Sequence, residues 1–170
     1  MNETNKYYFN QLFFYATKDS RCDWNVEKGM LFHGKPGTGK STLIKILAEF
    51  QRHLGHGFKV VNCASISAEF ASYGINALNE STWNEGFRGI NPVERAFDEL
   101  GREVLPAKYF GNEMNIMQHI LQIRYDLKVK THLTTNITED EIEKRYGKHI
   151  FDRMIEMFNF IEIEGDSFRK

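Results

Sequence analysis

The sequence has little of what marks secreted, membrane-bound or repetitive proteins. Among its 170 residues are only two cysteines and three prolines. Cys22 and Cys63 are too few for a disulfide framework, so we expect reduced thiols in a cytoplasmic protein. No apolar run is long enough to cross a bilayer, and residues 2–6 are polar, unlike a secretory signal peptide. These deficits predict a globular chain with no membrane partner.

The sequence also has no large excess of positive or negative charge and no internal repeat. The 22 basic and 23 acidic residues leave a formal net charge of −1, so a domain-wide attraction to nucleic acid is not expected. Binding of nucleic acid by a local basic patch stays an open alternative. No repeat, low-complexity tract or Pro/Gly/Ser-rich linker divides the chain. With 41% hydrophobic and 26% charged residues, the composition is that of one ordinary globular domain.

Short apolar runs alternate with helix-like periodicity along the chain. The strand-like segments are 29–33, 58–63, a run ending at 96–98, 129–135 and 160–163. The helix-like segments are 6–19, 40–52, 67–73, 112–126, 138–147 and 151–158. The stretch 74–96 receives no firm assignment, except that its last residue, Ala96, belongs to the strand-like run that ends at Asp98. The alternation predicts an α/β fold, with a parallel five-stranded sheet sandwiched by helices.

Capping signals set the limits of two of these helices. Thr138 and Glu141 have the spacing of a capping box, and Gly147 is typical of the residue that ends a helix. Ser67 is a residue type expected at an N-cap, so we place it at the start of the helix that reaches Tyr73. In a parallel sheet covered by helices, ligands bind beyond the carboxyl ends of the strands. The residues that follow the predicted strands are therefore the candidates for a functional site.

The strongest motif is the segment 34–41, which matches the phosphate-binding pattern G-x-x-x-x-G-K-[ST] in full. A predicted strand precedes it and an amphipathic helix follows it, as the pattern requires. Its glycines let the backbone approach a polyphosphate without a Cβ clash, and the amides of residues 37–41 point into one concavity at the positive end of the helix. The predicted nucleotide-binding residues are Gly34, Pro36, Gly37, Thr38, Gly39, Lys40, Ser41 and Thr42.

Two side chains of this loop predict that the ligand is ATP with Mg²⁺. Lys40 places a mobile ammonium on the β- and γ-phosphates, where it also serves catalysis. The Ser41 hydroxyl is a predicted ligand of Mg²⁺, a cation that keeps most of its waters. The alternative is a glycine-rich turn that contains Lys-Ser by chance.

Hydrolysis also needs a carboxylate beside the metal and a group that activates water. Asp98 and Glu99 are the best candidate pair, with Asp98 at the metal and Glu99 as general base. The alternative is an exposed acidic pair at the start of a helix. The strand before such a carboxylate normally carries apolar residues, whereas Glu94 and Arg95 stand here. We therefore expect a short strand, or one whose start is exposed.

From Gly34 onward the order of motifs resembles the AAA+ ATPases of the DnaC/IstB group, which are helicase loaders and transposition helper ATPases. Beyond the phosphate-binding loop, the motifs are Asp98-Glu99-Leu100-Gly101, Thr134-Thr135-Asn136, Asp152-Arg153-Met154 and Gly165-Asp166-Ser167-Phe168-Arg169. The resemblance spans residues 29–170 and implies a P-loop NTPase core of the AAA+ type with little or no C-terminal lid. It leaves residues 1–28 as an N-terminal helical extension.

The resemblance implies three further site residues. Asn136 resembles sensor 1, whose amide holds the attacking water or the γ-phosphate. Arg153 resembles the arginine finger, which reaches the γ-phosphate bound on a neighbouring subunit. Arg169 resembles a sensor 2 arginine that acts within its own chain. As alternatives, Asn136 is an ordinary turn residue, and Arg153 is a surface residue paired with Asp152 or Glu156.

The same resemblance implies partners. It implies a homo-oligomer that couples ATP turnover to remodelling of a DNA-bound partner, a replicative helicase or a transposase, with single-stranded DNA as a further partner. By family-level analogy, Tyr7, Tyr8, Phe9 and the region of Trp24 line the adenine pocket. Two other functions stay open, which are a small P-loop kinase for a nucleoside or metabolite and a nucleotide-binding interaction module with little turnover.

Overall fold

The structure, a computed structural model, describes residues 3–82, 85–86, 89–90 and 93–165, and the side chains of 6–82 and 93–165. Its helices are α1 Glu3–Ala16, α2 Lys40–His53, α3 Cys63–Tyr73, α4 Asn79–Thr82, α5 Ile116–Asp126, α6 Glu139–Tyr146 and α7 Lys148–Met157, with a 3₁₀ helix at Gly74–Leu78. Its strands are β1 Gly29–His33, β2 Lys59–Asn62, β3 Glu85–Gly86, β4 Gly89–Ile90, β5 Arg95–Leu100, β6 Ala107–Tyr109, β7 Asn112–Met114, β8 Thr131–Thr135 and β9 Phe158–Glu162.

Five of the strands form one sheet, in the order β2-β5-β8-β1-β9. Every neighbouring pair is parallel, so the five carboxyl ends lie at the same edge. The first strand along the chain, β1, lies in the interior of the sheet, and the second, β2, lies at its far edge. This change of strand order creates a crevice at the carboxyl edge. The predicted α/β class, with a five-stranded parallel sheet between helices, is confirmed. The ribbons β3–β4 and β6–β7 lie outside the sheet.

Alternate strand residues feed two hydrophobic cores, one on each face of the sheet. Leu31 belongs to one core and its neighbours Met30 and Phe32 belong to the other, as the two-residue period of a strand requires. Helices α1 and α2 cover the core that contains Phe32, whereas α3, α5, α6 and α7 cover the core that contains Leu31. Each fully buried leucine or isoleucine contributes about 1.5–3 kcal/mol, so burial on both faces fixes the helices to the sheet.

The start of α5 corrects the helix predicted from residue 112. The segment 112–114 pairs with 107–109 as the antiparallel ribbon β6–β7, so the helix begins only at Ile116. Asn115 is the N-cap, and its side chain accepts a hydrogen bond from the Gln118 amide. The apolar periodicity of 116–126 was sound, but an asparagine that prefers to cap a helix stops it there.

Two further boundaries were also wrong. Ser67 lies inside α3, because Asn62 caps that helix by accepting from the Ala64 amide and the helix begins at Cys63. Phe158, predicted as helical, is the first residue of β9. By contrast, the predicted capping box of Thr138 at the start of α6 is present. Short polar side chains at strand-to-helix junctions therefore decided boundaries that periodicity alone could not.

The charged start of β5 is the larger correction. The strand has six residues, and its first residue, Arg95, is only 2% exposed, with Nη2 lying 3.4 Å from Glu80 Oε1. Glu94 Oε1 lies 2.7 Å from Nε2 of the fully buried His132. His132 Nδ1 accepts from the Met30 amide at 3.1 Å, so Nε2 carries the proton and donates to Glu94. The expectation of a short or exposed strand was wrong, because both charges have partners.

In the stretch 74–96, which receives no firm assignment from the sequence, the described residues before β5 form small elements, namely the 3₁₀ helix, α4 and the β3–β4 ribbon.

Helix α1 packs in the same core as α2 and β1 through Leu12 and Tyr15. The division of the chain into an extension, 1–28, and a core, 29–170, stays a prediction. None of the described helices is long and apolar enough to span a membrane.

Candidate active site

The phosphate-binding loop connects the carboxyl end of β1 to α2. Gly34 has a φ of 131°, and a Cβ at this position would lie 2.6 Å from the carbonyl oxygen of Ile163, so the loop requires glycine here. The Ile163 amide donates to the His33 carbonyl at 2.8 Å, which fixes the segment after β9 against the loop. The N-cap of α2 is Gly39, which has no side chain, so no capping side chain competes with an anion at the positive end of this helix.

Lys40 is held inside the loop by backbone oxygens. Its side chain is almost buried, and Nζ donates to the carbonyls of Gly34 at 2.7 Å and Lys35 at 2.6 Å. The Thr38 hydroxyl lies 3.4 Å from the same nitrogen and donates to the Lys35 carbonyl at 3.0 Å. An incoming phosphate would therefore replace these carbonyl oxygens as the acceptor of hydrogen bonds from the Lys40 ammonium group.

Asp98 joins the loop to the neighbouring strands. Its carboxylate is buried, and Oδ1 accepts from the Ser41 hydroxyl at 2.8 Å and from the Thr134 hydroxyl at 2.5 Å. A serine hydroxyl beside an aspartate carboxylate is the kind of oxygen donor set that Mg²⁺ takes, together with water and phosphate oxygens. Ser41 and Asp98 therefore fit the predicted metal.

Glu99 has an unusual backbone conformation. Its φ is 61°, in the left-handed region that few residues other than glycine adopt, and the pairing of β5 with β8 shifts register between Phe97 and Leu100. The Glu99 amide donates to Thr134 Oγ1 at 2.9 Å. Its carboxylate accepts from Asn62 Nδ2 at 3.1 Å and lies 3.9 Å from Arg102 Nε. The bulge turns this side chain out of the alternation of the strand.

A cavity of about 430 Å³ lies beside these groups at the carboxyl edge of the sheet. The phosphate-binding loop and the first turn of α2, residues 36–43, form one wall. The other lining residues are Tyr8, Phe9, Glu99, Arg102, Thr134, Asn136 and Ile163. A volume of this size falls in the range of small-molecule sites, which is about 300–1,000 Å³.

Only part of the predicted adenine pocket reaches the cavity. Tyr8 and Phe9 line it, and the Tyr8 hydroxyl donates to the Glu162 carbonyl at 2.9 Å. Partial burial raises the pKa of Tyr8, so its phenol stays protonated. Tyr7 instead donates to Asp23 at 3.1 Å, and Trp24 packs its ring edge-on against Phe32 in the core. The aromatic end of the cavity therefore comes from one short stretch of α1.

The residues implied by the resemblance are placed in different parts of the molecule. Asn136 lines the cavity just after β8. Arg153 lies on α7, outside the residues that line the cavity, with its guanidinium carbon 4.8 Å from the centre of the Tyr125 ring. Glu156, an alternative partner for this arginine, accepts from the Tyr125 hydroxyl at 2.7 Å. Arg169 lies outside the described residues. The catalytic roles of these residues stay predictions.

Three polar residues in or beside the cavity were not among the predicted site residues, namely Asn62, Arg102 and Thr134. Asn62 ends β2 and Thr134 lies near the end of β8, where polar side chains of a parallel sheet meet. That positional rule could have found both from the sequence. Arg102 follows the bulge at Glu99, and no sequence pattern predicts that its side chain reaches the cavity.

Comparisons with known proteins agree with this architecture. The model of the AAA family, the ATPase family associated with various cellular activities, matches residues 30–144. The structure of DnaI superimposes with a TM-score of 0.71 at 17% identity, over 99% of this chain and 86% of that one. That of the DnaC helicase loader gives 0.70 at 16%, over 96% and 92%. AMPPCP-bound DnaA from Aquifex aeolicus gives 0.64 at 14%, over 98% and 48%.

At these identities the structural likeness establishes the fold alone. No curated protein sequence matches the chain. The family match covers more than half of the chain and includes the phosphate-binding loop, Asp98, Glu99 and Asn136. The resemblance to an AAA+ core, drawn from the order of motifs, is confirmed.

Proposed function

Because the chain belongs to the AAA family of ATPases, we propose that it binds ATP with Mg²⁺ and hydrolyses it. The observation that carries the proposal is that Ser41 and Glu99 line one cavity beside a complete phosphate-binding loop, with Asp98 hydrogen-bonded to Ser41. These three side chains come from the loop and from the end of β5, about sixty residues apart in the sequence. Such convergence is what phosphoryl transfer to water requires.

The proposed chemistry assigns one task to each group. The loop amides and Lys40 bind the phosphates, and Ser41 and Asp98 would hold Mg²⁺, which when bound withdraws charge from the phosphate oxygens. Glu99 accepts a proton from the attacking water, and Asn136 orients that water or the γ-phosphate by neutral hydrogen bonds. Tyr8 and Phe9, at the aromatic end of the cavity, pack against the base.

We further propose that the protein acts as a homo-oligomer of the helicase-loader type. Arg153 lies on α7, away from the cavity of its own chain, which supports a role at the γ-phosphate of a neighbouring subunit. The similarity in fold to the DnaC helicase loader supports a DNA-bound protein as the partner, such as a replicative helicase or a transposase. Single-stranded DNA is the further ligand proposed.

The test is calorimetric titration with ATP and Mg²⁺, followed by phosphate release, for the wild type and Lys40→Ala. We expect Lys40→Ala to weaken ATP binding by about 100-fold, because an almost buried ammonium opposite phosphate is lost. The matched control is Lys45→Ala, an exposed lysine of the same helix, which should bind as the wild type does. Absence of binding heat in the folded wild type would refute the proposal, whereas binding without phosphate release would support an interaction module.

A further inference from the structure

Glu103 lies outside the cavity, yet its carboxylate is fully enclosed, with 0% of the side chain exposed. Burial of a carboxylate is unfavourable unless hydrogen bonds compensate, so its partners indicate its role. Oε2 accepts from the Gly101 amide at 2.8 Å. Oε1 accepts from the Tyr146 hydroxyl and lies 3.3 Å from Arg145 Nε. One side of the carboxylate therefore binds the turn after β5, and the other side binds the end of α6.

The turn that Glu103 contacts is the one that carries Glu99. The Arg102 amide donates to the Glu99 carbonyl at 3.1 Å and closes the turn. Two residues within it have positive φ, namely Glu99 at 61° and Gly101 at 96°. A left-handed glutamate persists only where its surroundings determine the backbone. The neighbours of this turn are therefore as important for the position of the Glu99 carboxylate as its own side-chain contacts.

Three consecutive backbone groups of the turn are each held by a side chain. Thr134 Oγ1 accepts from the Glu99 amide, and Thr135 Oγ1 donates to the Leu100 carbonyl at 2.7 Å. Glu103 provides the third contact, to Gly101. Both threonines belong to β8, so they attach the turn to the sheet. Glu103 attaches the turn to α6 and is not among the residues that line the cavity.

Tyr146 and Arg145 keep the Glu103 carboxylate in place. Burial, and then the charge of Glu103, raises the pKa of Tyr146, so its hydroxyl stays protonated and donates. Arg145 Nη2 also donates to the Glu103 carbonyl at 2.7 Å, which fixes the backbone as well as the side chain. The carboxylate is thus a rigid acceptor for the Gly101 amide.

We infer that Glu103 is a positioning residue, whose buried carboxylate fixes the turn that orients Glu99 and connects this turn to α6. The inference rests on the proposed role of Glu99 in hydrolysis. Glu103 itself touches neither nucleotide nor water in this scheme. Its loss should therefore change the rate of the chemical step rather than the affinity for ATP.

The test compares Glu103→Leu, which removes both acceptor oxygens, with Glu103→Gln, which keeps one oxygen for the Gly101 amide. We expect kcat to fall about 30-fold in Glu103→Leu with the Kd for ATP and Mg²⁺ nearly unchanged, because small displacements of a catalytic group have effects of this order. Glu103→Gln should recover most of the rate. Unchanged kcat in Glu103→Leu, or equal loss in both variants, would overturn the inference.

The control for general destabilisation is Thr138→Ala, which removes the exposed N-cap of the same helix, α6. It should lower the melting temperature without changing kcat, and a matching loss of kcat would show that Glu103 acts only through stability. If Glu103→Leu does not fold, Tyr146→Phe removes one donor to the carboxylate and should lower kcat about threefold, again with unchanged Kd. Wild-type kcat in Tyr146→Phe would then count against the inference.

Hydrogen exchange separates this inference from the proposed function. In the nucleotide-free protein, the Gly101 amide should exchange at least about tenfold faster in Glu103→Leu than in the wild type, because its acceptor is lost. Thr138→Ala should leave this exchange unchanged. If the wild type does not hydrolyse ATP, the proposed function fails and the positioning role fails with it. If hydrolysis is present and exchange at Gly101 is equal in both proteins, only the inference fails.

Discussion

A pair of charged residues stands near each end of β5, and the two pairs have different partners. At the amino end, Glu94 binds His132 and Arg95 faces Glu80, so these charges are matched within the fold. At the carboxyl end, Asp98 accepts from two hydroxyls, and Glu99 lies on the wall of the cavity. We therefore expect the first pair to stabilise the sheet and the second pair to meet a ligand. The partners of each charged residue indicate whether it serves the fold or the candidate site.

The largest expected effect concerns the carboxyl end. Glu99→Gln should lower kcat for ATP hydrolysis by about 100-fold or more, since an amide cannot accept a proton from water, with ATP affinity retained. Steady-state phosphate release with calorimetric titration measures both quantities. The matched control is Glu94→Gln at the other end of the strand, which keeps an acceptor for His132 and should hydrolyse ATP at the wild-type rate. Equal kcat values in Glu99→Gln and Glu94→Gln would show that the two ends of β5 do not differ in function.

A smaller effect is expected at the amino end. Glu94→Ala leaves the Nε2 proton of the buried His132 without its acceptor, so the free energy of unfolding should fall by about 1–3 kcal/mol. Urea unfolding monitored by circular dichroism measures this change. Turnover per folded molecule should be unaffected. A variant as stable as the wild type would show that the charge at this end is not stabilising.

The smallest effect is a dependence of stability on pH. Burial lowers the pKa of His132 below 6.5, so the unfolded chain binds a proton that the folded chain does not, and stability falls as pH falls below about 6.5. The loss is up to about 1.4 kcal/mol per pH unit for each such histidine. The pKa of Glu94 is also lowered, from 4.5, and adds a loss only below that pH.

His119 is partly buried and its pKa is lowered as well, so its contribution must be removed. In His119→Ala, urea unfolding between pH 7 and pH 5 should still show the slope that His132 causes. A flat profile in this variant would mean that His132 becomes protonated in the folded state, and the amino end of β5 would then not be a fixed hydrogen-bonded pair.

The phosphate-binding loop and the fold class could be predicted from the sequence because their signals are local. Residues 34–41 form a contiguous motif between a strand and a helix, and alternation of apolar segments is enough to predict a parallel sheet. The position of Asn136 at the cavity, and that of Asp98 beside the cavity residue Ser41, follow from the rule that strand ends meet at one edge. These features need no knowledge of long-range contacts.

The remaining features depend on partners that are distant in the sequence. Glu94 and Arg95 look unfavourable in a strand until His132 and Glu80 are known to face them. The left-handed conformation of Glu99 depends on hydrogen bonds from β8 and on the turn closed by Arg102, neither of which leaves a periodic signal. The role inferred for Glu103 requires the end of α6 to lie beside β5. Tertiary contacts of this kind decide orientation, which single-sequence patterns do not encode.

The contact of α1 with the carboxyl end of β9 has a mechanical consequence. Tyr8 holds the Glu162 carbonyl, and the next residue, Ile163, is bonded to His33 and leaves no room for a side chain at Gly34. Helix α1 is thus connected to the first residue of the phosphate-binding loop through the carboxyl ends of β9 and β1. The backbone around Gly34 therefore depends on α1 as well as on the sheet.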